Sequence, residues 1–205
     1  MLQLRDLVVA VPGTGSHLRI SERVRPGELV VVPAGPAAAT AVARTVAGLA
    51  TPVSGRVLVG ERDVTGEPPV SRQIGYVPAG GGLLPHLTVR ANVEYGMRRR
   101  ETVHELSRTW AATVTSRLEL MPILELRPHQ LSAGQRLRAA LARAAVCLPE
   151  ALVVAEPDTE TGAVLRDLLA RASLATAPAM AVLVCGDERL TSDADRTAEA
   201  TEVGA

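Results

Sequence analysis

Three short stretches of this 205-residue chain carry residue types and spacings that could do chemistry. An apolar run ending at Val32 is followed by a loop rich in proline, glycine and alanine, and then by a predicted helix from about Ala37. A strand, a small-residue loop and a helix N-terminus together can cradle phosphate groups, because the helix dipole and free amides attract anions. Ser132 and Gln135 have the spacing of a helix capping box, and Glu156 ends another apolar run, where a general base could stand.

The elements that must position these residues follow a βα order in much of the chain. Apolar runs typical of strands buried on both faces occur three times, and each precedes a stretch of helical periodicity. The runs are residues 29–32, 152–155 and 181–185, and the predicted helices are residues 37–50, 160–174 and 187–198. This order predicts a mostly parallel sheet flanked by helices.

The N-terminal and middle parts of the chain have different patterns. Residues 2–11 and 18–24 alternate apolar and polar positions around turn residues, which predicts an antiparallel pair, and residues 55–60 and 74–78 predict two further strands. Helices are predicted at residues 88–100, 101–120 and 132–148. We therefore expect one α/β domain, residues 1–205, with an N-terminal antiparallel β subdomain, a helical subdomain at about 86–140 and a polar tail after Thr191 that frays.

Composition excludes several classes of protein. All 22 basic residues are arginine and balance 22 acidic residues, so no net charge draws the chain to nucleic acid, and we expect no nucleic-acid partner. Because the chain has no lysine, it can form no lysine Schiff base and has no lysine to bind a phosphate group. The apolar runs are far shorter than the ~20 residues that span a bilayer, which indicates a cytoplasmic protein.

The cysteines and histidines show no metal-ligand spacing, so we expect no metal site in their side chains. Cys147 and Cys185 lie in apolar segments and are predicted to be buried thiols. The histidines are predicted to be surface residues, and they are His17, His86, His104 and His129.

The most specific stretch of the chain is Leu131, Ser132, Ala133, Gly134 and Gln135, followed by RLRAALARA. It resembles the LSGGQ signature and signature helix of the ATP-binding cassette (ABC) family, the nucleotide-binding subunits of ABC transporters. Other stretches are similar to the family in the same order: RPGE, TVAGLATPVSGRVLVGERDVT, RQIGYV at 72–77, LLPHLTVRANVEYGM at 83–97 and VVAEP at 153–157. The stretch LLPHLTVRANV is most similar to the branch of the family that serves small-solute and ion importers. The resemblance implies a P-loop NTPase-like (RecA-like) fold with the signature on the helical insert.

The loop before the first predicted helix departs from the family motif GxxxxGK[ST]. In the best register, over residues 32–40, the two glycines, the lysine and the hydroxyl residue are replaced by Val32, Ala37, Ala38 and Ala39. A register shifted by one residue places Thr40 at the hydroxyl position, with Pro33, Ala38 and Ala39 at the other three. No register restores the motif, and Pro36 also removes an amide donor. The degenerate nucleotide loop is Pro33, Ala34, Gly35, Pro36, Ala37, Ala38, Ala39 and Thr40.

Other positions that the resemblance assigns to the nucleotide site are substituted in parallel. The magnesium-holding Walker B Asp falls at Ala155, the Q-loop Gln at Ala79, the H-loop His at Gly186 and the D-loop Asp near Gly162, which leaves Glu156 of the hydrolytic set. Each lost charge-assisted contact is worth roughly 1.5–3 kcal/mol, so the loss of three weakens nucleotide binding by about three to six orders of magnitude. We expect no tightly bound cofactor, and ATP with magnesium only at a partner's site or in a loop that tolerates these substitutions.

The leading hypothesis is a degenerate ABC subunit, a catalytically inactive pseudo-ATPase that pairs with an intact cassette or a membrane permease, the latter docking near residues 79–92. A working transport ATPase and a non-catalytic scaffold or regulatory protein remain as alternatives, and a homodimer is also left open. Ser132 either serves a partner's ATP or only starts a helix. Glu156 is either a general base or a strand-end carboxylate that acts as a cap or pairs with an arginine. The resemblance implies a cytoplasmic chain held at the inner face of the membrane through a permease.

Overall fold

Two sheets form the framework of the molecule in the computed structural model, which describes residues 1–97, 104–157, 164–165 and 180–204. In chain order the strands are β1 (Leu2–Ala10), β2 (His17–Val24), β3 (Leu29–Pro33), β4 (Ser54–Val59), β5 (Arg62–Asp63), β6 (Ile74–Val77), β7 (Ala151–Ala155), β8 (Ala181–Gly186), β9 (Arg196–Thr197) and β10 (Ala200–Val203). The antiparallel sheet has the order β10-β2-β1-β4-β5, and the second sheet has the order β6-β7-β8-β3-β9 with every neighbouring pair parallel. The predicted α/β class, with its N-terminal antiparallel part, is confirmed.

Four α-helices pack on these sheets in the described residues: α1 (Pro36–Ala47), α2 (Val89–Met97), α3 (His104–Arg117) and α4 (Ala133–Ala145). Each overlaps a helix predicted from periodicity, and α1 and α4, whose two ends both lie in the described residues, are shorter than predicted. Helix α1 ends where Gly48 adopts the left-handed conformation (φ 83°), with its amide bonded to the Thr45 carbonyl. The helix predicted at residues 160–174 lies almost wholly outside the described residues.

The parallel sheet is buried on both faces, as its apolar runs predict. In β3, Leu29 and Val31 belong to a core cluster shared with α2, α3 and α4, while Val30 and Val32 belong to a second cluster shared with α1 and the antiparallel sheet. This division follows from the two-residue period of a strand, which points successive side chains to opposite faces. The helical insert therefore covers one face of the parallel sheet, and α1 covers the other.

The helix predicted at residues 187–198 is wrong. The chain there forms a short 3-10 helix (Glu188–Asp193) and then β9, which pairs with the outer edge of β3. The Asp195 amide donates to the Leu29 carbonyl, and the Leu29 amide donates to the Asp195 carboxylate, both at 2.8 Å. These pairings satisfy the edge groups of β3, which a helix would leave without partners.

The fraying predicted after Thr191 is also wrong. Residues 200–203 form β10, which pairs antiparallel with β2 from Ala200 opposite Ile20 to Val203 opposite His17. The guanidinium of Arg196 reinforces the link, since it donates to Glu28 at 2.6 Å and lies 3.0 Å from Glu22. The polar tail is therefore held by strand pairing and ion pairs.

The predicted burial of the thiols is confirmed in full for Cys185, which has no exposed surface. Burial raises the pKa of the Cys185 thiol to about 12. Cys147 is half-buried, and its thiol donates to the Gly96 carbonyl at 3.0 Å. Of the histidines predicted at the surface, His86 and His129 are exposed and His17 is half-buried, whereas the side chain of His104 lies outside the described part of the chain.

Candidate functional site

The loop that would hold a phosphate is reduced to two residues, Ala34 and Gly35, between the end of β3 and the start of α1. Gly35 is the extended N-cap residue (φ −63°, ψ 162°), and Pro36 is the first residue of the helix. The Ala34 amide donates to the Gly186 carbonyl at 2.9 Å, and the Ala39 amide donates to the Gly35 carbonyl at 2.8 Å. The Ala34 amide of the loop is thus engaged within the protein, the Ala39 amide makes the first helical bond of α1, and Pro36 has no amide hydrogen to offer an anion.

The Thr40 hydroxyl donates directly to the Glu156 carboxylate, with Oγ1 and Oε1 2.5 Å apart. Glu156 follows β7 in the left-handed conformation (φ 47°), and its amide donates to the Cys185 carbonyl at 2.8 Å. Thr40 therefore faces the end of β7, which favours the second of the two registers, the one with Thr40 at the hydroxyl position. In the described residues the Glu156 carboxylate is bonded to this threonine, and the arginine partner that was one of the alternatives is not found there.

Methyl groups occupy the positions where a nucleotide site needs charge. Ala39 and Ala155 have at most 1% of their surface exposed, and both belong to the core cluster that contains Val32 and Cys185. Alanine offers neither a cation for phosphate nor an oxygen for magnesium. The residues around this loop therefore do not fit a magnesium nucleotide.

The two remaining substituted positions differ in their surroundings. A Cβ atom added at Gly186 would lie 3.0 Å from Cδ1 of Leu190 and 3.5 Å from Cδ of Pro157, so other side chains fill the space expected for a histidine. Ala79 is exposed just after β6, in a turn closed by the Gly81 amide and the Pro78 carbonyl at 2.9 Å. The predicted D-loop position near Gly162 lies outside the described residues.

The signature segment starts α4 with the predicted capping box. The Ser132 hydroxyl accepts from the Gln135 amide at 3.2 Å, and the Gln135 side-chain oxygen accepts from the Ser132 amide at 2.9 Å. Leu131 is buried, whereas Ser132 and Ala133 are exposed. The recorded bond uses the hydroxyl as an acceptor, so its proton can still be offered to a group outside the molecule.

A groove that the sequence did not reveal lies beside the edge strand β6. We call it the β6 groove; it has a volume of about 620 Å³ and is bounded by β6, α2 and α4. Its walls include Val70, Tyr76, Leu84, Tyr95, Arg143 and Cys147. Tyr95 and Val70 are 46% and 63% exposed, so the groove presents apolar surface to solvent. The chain has only two tyrosines, and both line the groove. Their rarity is the one feature of the sequence that could have pointed to this site.

The described residues contain no group of three or more His, Cys, Asp or Glu side chains placed to hold a metal ion. Within the same residues, no helix has the length and apolar character needed to cross a membrane.

Comparison with known proteins places these features in a family. The family model described as ABC transporter matches residues 19–159. The sn-glycerol-3-phosphate import ATP-binding protein UgpC of Rhizobium meliloti is 36% identical over 168 residues, which is 80% of this chain and 48% of that protein. The spermidine/putrescine import ATP-binding protein PotA of Frankia alni is 39% identical over 150 residues, 72% of this chain and 31% of that protein. The chain thus matches at most about half the length of these relatives.

Solved structures share the fold at low sequence identity. The ATP-binding cassette MJ0796, in a dimeric post-hydrolysis state with ADP and Pi, superposes with a TM-score of 0.72 at 21% identity, covering 100% of this chain and 98% of that one. The cbiO1 protein from Clostridium perfringens, part of the complex cbiONQ, gives 0.72 at 18% identity, covering 99% and 88%. These likenesses establish the cassette fold of the chain.

Proposed function

Because this chain belongs to the ABC transporter family, we propose that it is an importer subunit of the ATP-binding type that neither binds nor hydrolyses ATP at its own loop. The observation that carries the proposal is the direct bond from Thr40 to Glu156. The hydroxyl expected to ligate magnesium is bonded to the carboxylate expected to act as base. Alanines stand at the lysine and aspartate positions beside them, and we propose that residues 1–205 act as one cassette domain with its helical subdomain at about 86–140.

We propose a membrane permease as the partner of this subunit, which would hold the chain at the inner face of the membrane. The matched relatives UgpC and PotA carry names of import ATP-binding proteins, which supports an importer. The β6 groove supports the docking, since it is large and mostly apolar and includes Leu84, within the segment 79–92 where the family resemblance expects a permease. A permease segment of matching shape would bury the exposed faces of Val70 and Tyr95.

We further propose that the exposed start of α4 serves ATP held by an intact partner cassette. Ser132 is exposed, and its proton can be donated outward, as described above. The N-terminal end of α4 favours a negative charge presented from outside, because its dipole is positive at that end. ATP would then lie between the two subunits, held by the loop of the partner and contacted by Ser132 of this chain.

A calorimetric titration with Mg-ATP tests the loop. We expect no saturable heat up to millimolar nucleotide, while an intact importer subunit such as UgpC, run as the positive control, should bind. The matched variant is Thr40→Val, which removes the hydroxyl and keeps the side-chain volume. Micromolar binding by the natural chain that Thr40→Val abolishes would refute the proposal and support a working ATPase.

Analytical ultracentrifugation with an intact cassette, with and without ATP, tests the signature. We expect ATP-dependent pairing that Ser132→Arg removes, because arginine fills the space of the phosphate. Ser116→Arg, at an exposed serine on α3, is the matched control and should pair normally. Absence of pairing with the natural chain would contradict the signature role and favour a scaffold.

A further inference from the structure

Three consecutive glycines follow β6 and all adopt left-handed conformations. Their φ angles are 68°, 82° and 55° for Gly80, Gly81 and Gly82. A side-chain-bearing residue is strained at each of these angles, and a run of three such residues is uncommon even for glycine. We call residues 80–82 the glycine segment, whose path depends on glycine at every step.

The glycine segment lies directly against α4. A Cβ atom added at Gly81 would be 3.1 Å from the Arg136 carbonyl oxygen and 3.2 Å from Cβ of Ala140. A Cβ atom added at Gly82 would be 2.7 Å from Cγ of Pro78, so the turn is also closed on its own side. At Gly81 the backbone therefore lies closer to the helix than a residue with a Cβ atom ordinarily lies, and a Cβ atom there would require a shift of a few tenths of an ångström.

The side chain of Arg143 bonds the carbonyls of the segment. Its Nη1 donates to the Gly82 carbonyl at 2.7 Å and its Nη2 to the Gly81 carbonyl at 3.0 Å. Burial lowers the pKa of this guanidinium, which is enclosed between the helix and the segment. Hydrogen bonds from a charged donor are stronger than neutral ones, and two in a planar fork also set the direction of the segment.

The next residues are held from α2 by Asn92, which has no exposed surface. Its side-chain oxygen accepts from the Leu84 amide at 2.8 Å, and its amide group donates to the carbonyls of Leu84 and Thr88 at 3.2 and 3.0 Å. The connection from β6 to α2 is thus bonded to one helix at residues 81–82 and to another at residue 84. Arg143 and Leu84 both line the β6 groove, so this connection forms one wall of it.

We propose that Arg143 is a positioning residue that pins the glycine segment to α4 and so sets the shape of the β6 groove. The use of this wall for docking rests on the proposed function, whereas the bonds from Arg143 to the glycine segment do not depend on any partner. No family motif identified in the sequence assigns this role. Without the pin, three glycines in a row would allow the segment many other conformations.

Hydrogen exchange of the whole chain, followed by mass spectrometry, tests the pin. Arg143→Met should speed exchange of the amides at residues 81–84 by about 10- to 100-fold. Arg143→Lys should give a smaller change, because an ammonium group lacks the planar fork that bonds both carbonyls at once. Arg138→Met is the matched control, since Arg138 lies on the same helix and pairs with exposed Glu119 at 2.6 Å. Peptides of β1 and β2 should exchange alike in all variants.

Alkylation of Cys147 by N-ethylmaleimide tests the shape of the groove. Cys147 lines the groove and is half-buried, while fully buried Cys185 provides an unreactive internal control. We expect Arg143→Met to change the Cys147 rate severalfold and Arg138→Met to leave it unaltered. Equal exchange and equal alkylation in Arg143→Met and the natural chain would overturn the inference. Neither assay contains nucleotide or permease, so this result is separate from the fate of the proposed function.

Discussion

Replacing Arg72 with methionine should unfold the chain at markedly lower denaturant, because this one buried side chain joins four backbone carbonyls. Arg72 is 3% exposed. Its Nη1 donates to the carbonyls of Thr45 and Val46, both at 3.0 Å, at the C-terminal end of α1. Its Nη2 donates to Thr65 at 2.6 Å and its Nε to Glu67 at 2.8 Å. Arg72 therefore caps α1 and ties it to the turn before β6.

The magnitude follows from these four bonds. Hydrogen bonds to charged groups are worth about 1.5–3 kcal/mol each, which sets an upper limit of roughly 6–12 kcal/mol. The cost of burying the guanidinium offsets part of this, and the Thr45 carbonyl keeps its bond from the Gly48 amide at 3.1 Å. Breaking a buried charged network usually costs about 3–5 kcal/mol, which is the loss we expect.

Urea unfolding followed by far-ultraviolet circular dichroism measures this loss. With a slope of about 2–3 kcal/mol per molar urea, the midpoint should fall by roughly 1–2.5 M. Arg62→Met is the matched control, since Arg62 is 45% exposed, lies 4.0 Å from Glu67 and donates to the Ser71 carbonyl at 3.2 Å. An exposed pair of this kind contributes about 0–1 kcal/mol.

Two results would refute the reasoning about Arg72. An Arg72→Met midpoint equal to that of Arg62→Met would mean that the carbonyls find other partners. A stable Arg72→Lys chain would mean that a positive charge near the end of α1 is sufficient, through the helix dipole, and that the planar fork is not needed.

Two further predictions concern other joints of the fold. Gly48→Ala should lower the free energy of unfolding by about 1–3 kcal/mol, because φ is 83° there and the new methyl group would collide with Nε of Arg72. Gly66→Ala, whose methyl group would enter open space, is the control and should leave the stability unchanged. Equal urea midpoints for the two variants would contradict the prediction. The Arg196 guanidinium holds the pKa of Glu28 below its usual value, so this carboxylate stabilises the fold above its unfolded pKa and loses that effect as pH falls through its lower folded pKa. Arg196→Met should therefore flatten the fall of the melting temperature below about pH 4.5, and parallel curves for the two chains would disprove the linkage.

Local patterns were sufficient to predict the central elements of the fold. The runs that form β3, β7 and β8 are apolar almost throughout and short, which is typical of strands in a sheet covered on both faces. The capping box of Ser132 and Gln135 depends on residues three apart, so it too can be derived from the sequence. Resemblance to the ABC family then supplied the P-loop NTPase-like fold to which these elements belong.

The features that could not be predicted from the sequence depend on contacts between residues far apart in the chain. The bond from Thr40 to Glu156 joins positions 116 residues apart, and that from Leu29 to Asp195 joins positions 166 apart. Neither periodicity nor secondary-structure propensity indicates which distant residues will be bonded. At residues 187–198, strand pairing with β3 prevailed over the helical pattern of the sequence. Arg72 and Arg143 gave no signal either, because an arginine on the sequence is by default a solvated charge.

The placement of the aromatic residues decides which parts of the molecule optical methods can observe. The single tryptophan, Trp110, is 5% exposed on α3 and donates to the Ala145 carbonyl on α4 at 2.9 Å, and both tyrosines line the β6 groove. Intrinsic fluorescence and near-ultraviolet dichroism therefore arise from the helical insert and the groove, while the antiparallel sheet and the loop at residues 33–40 are spectroscopically silent. A change of emission on adding a ligand would locate its effect in the groove or the insert, and a ligand at the loop would need calorimetry or a label to be seen.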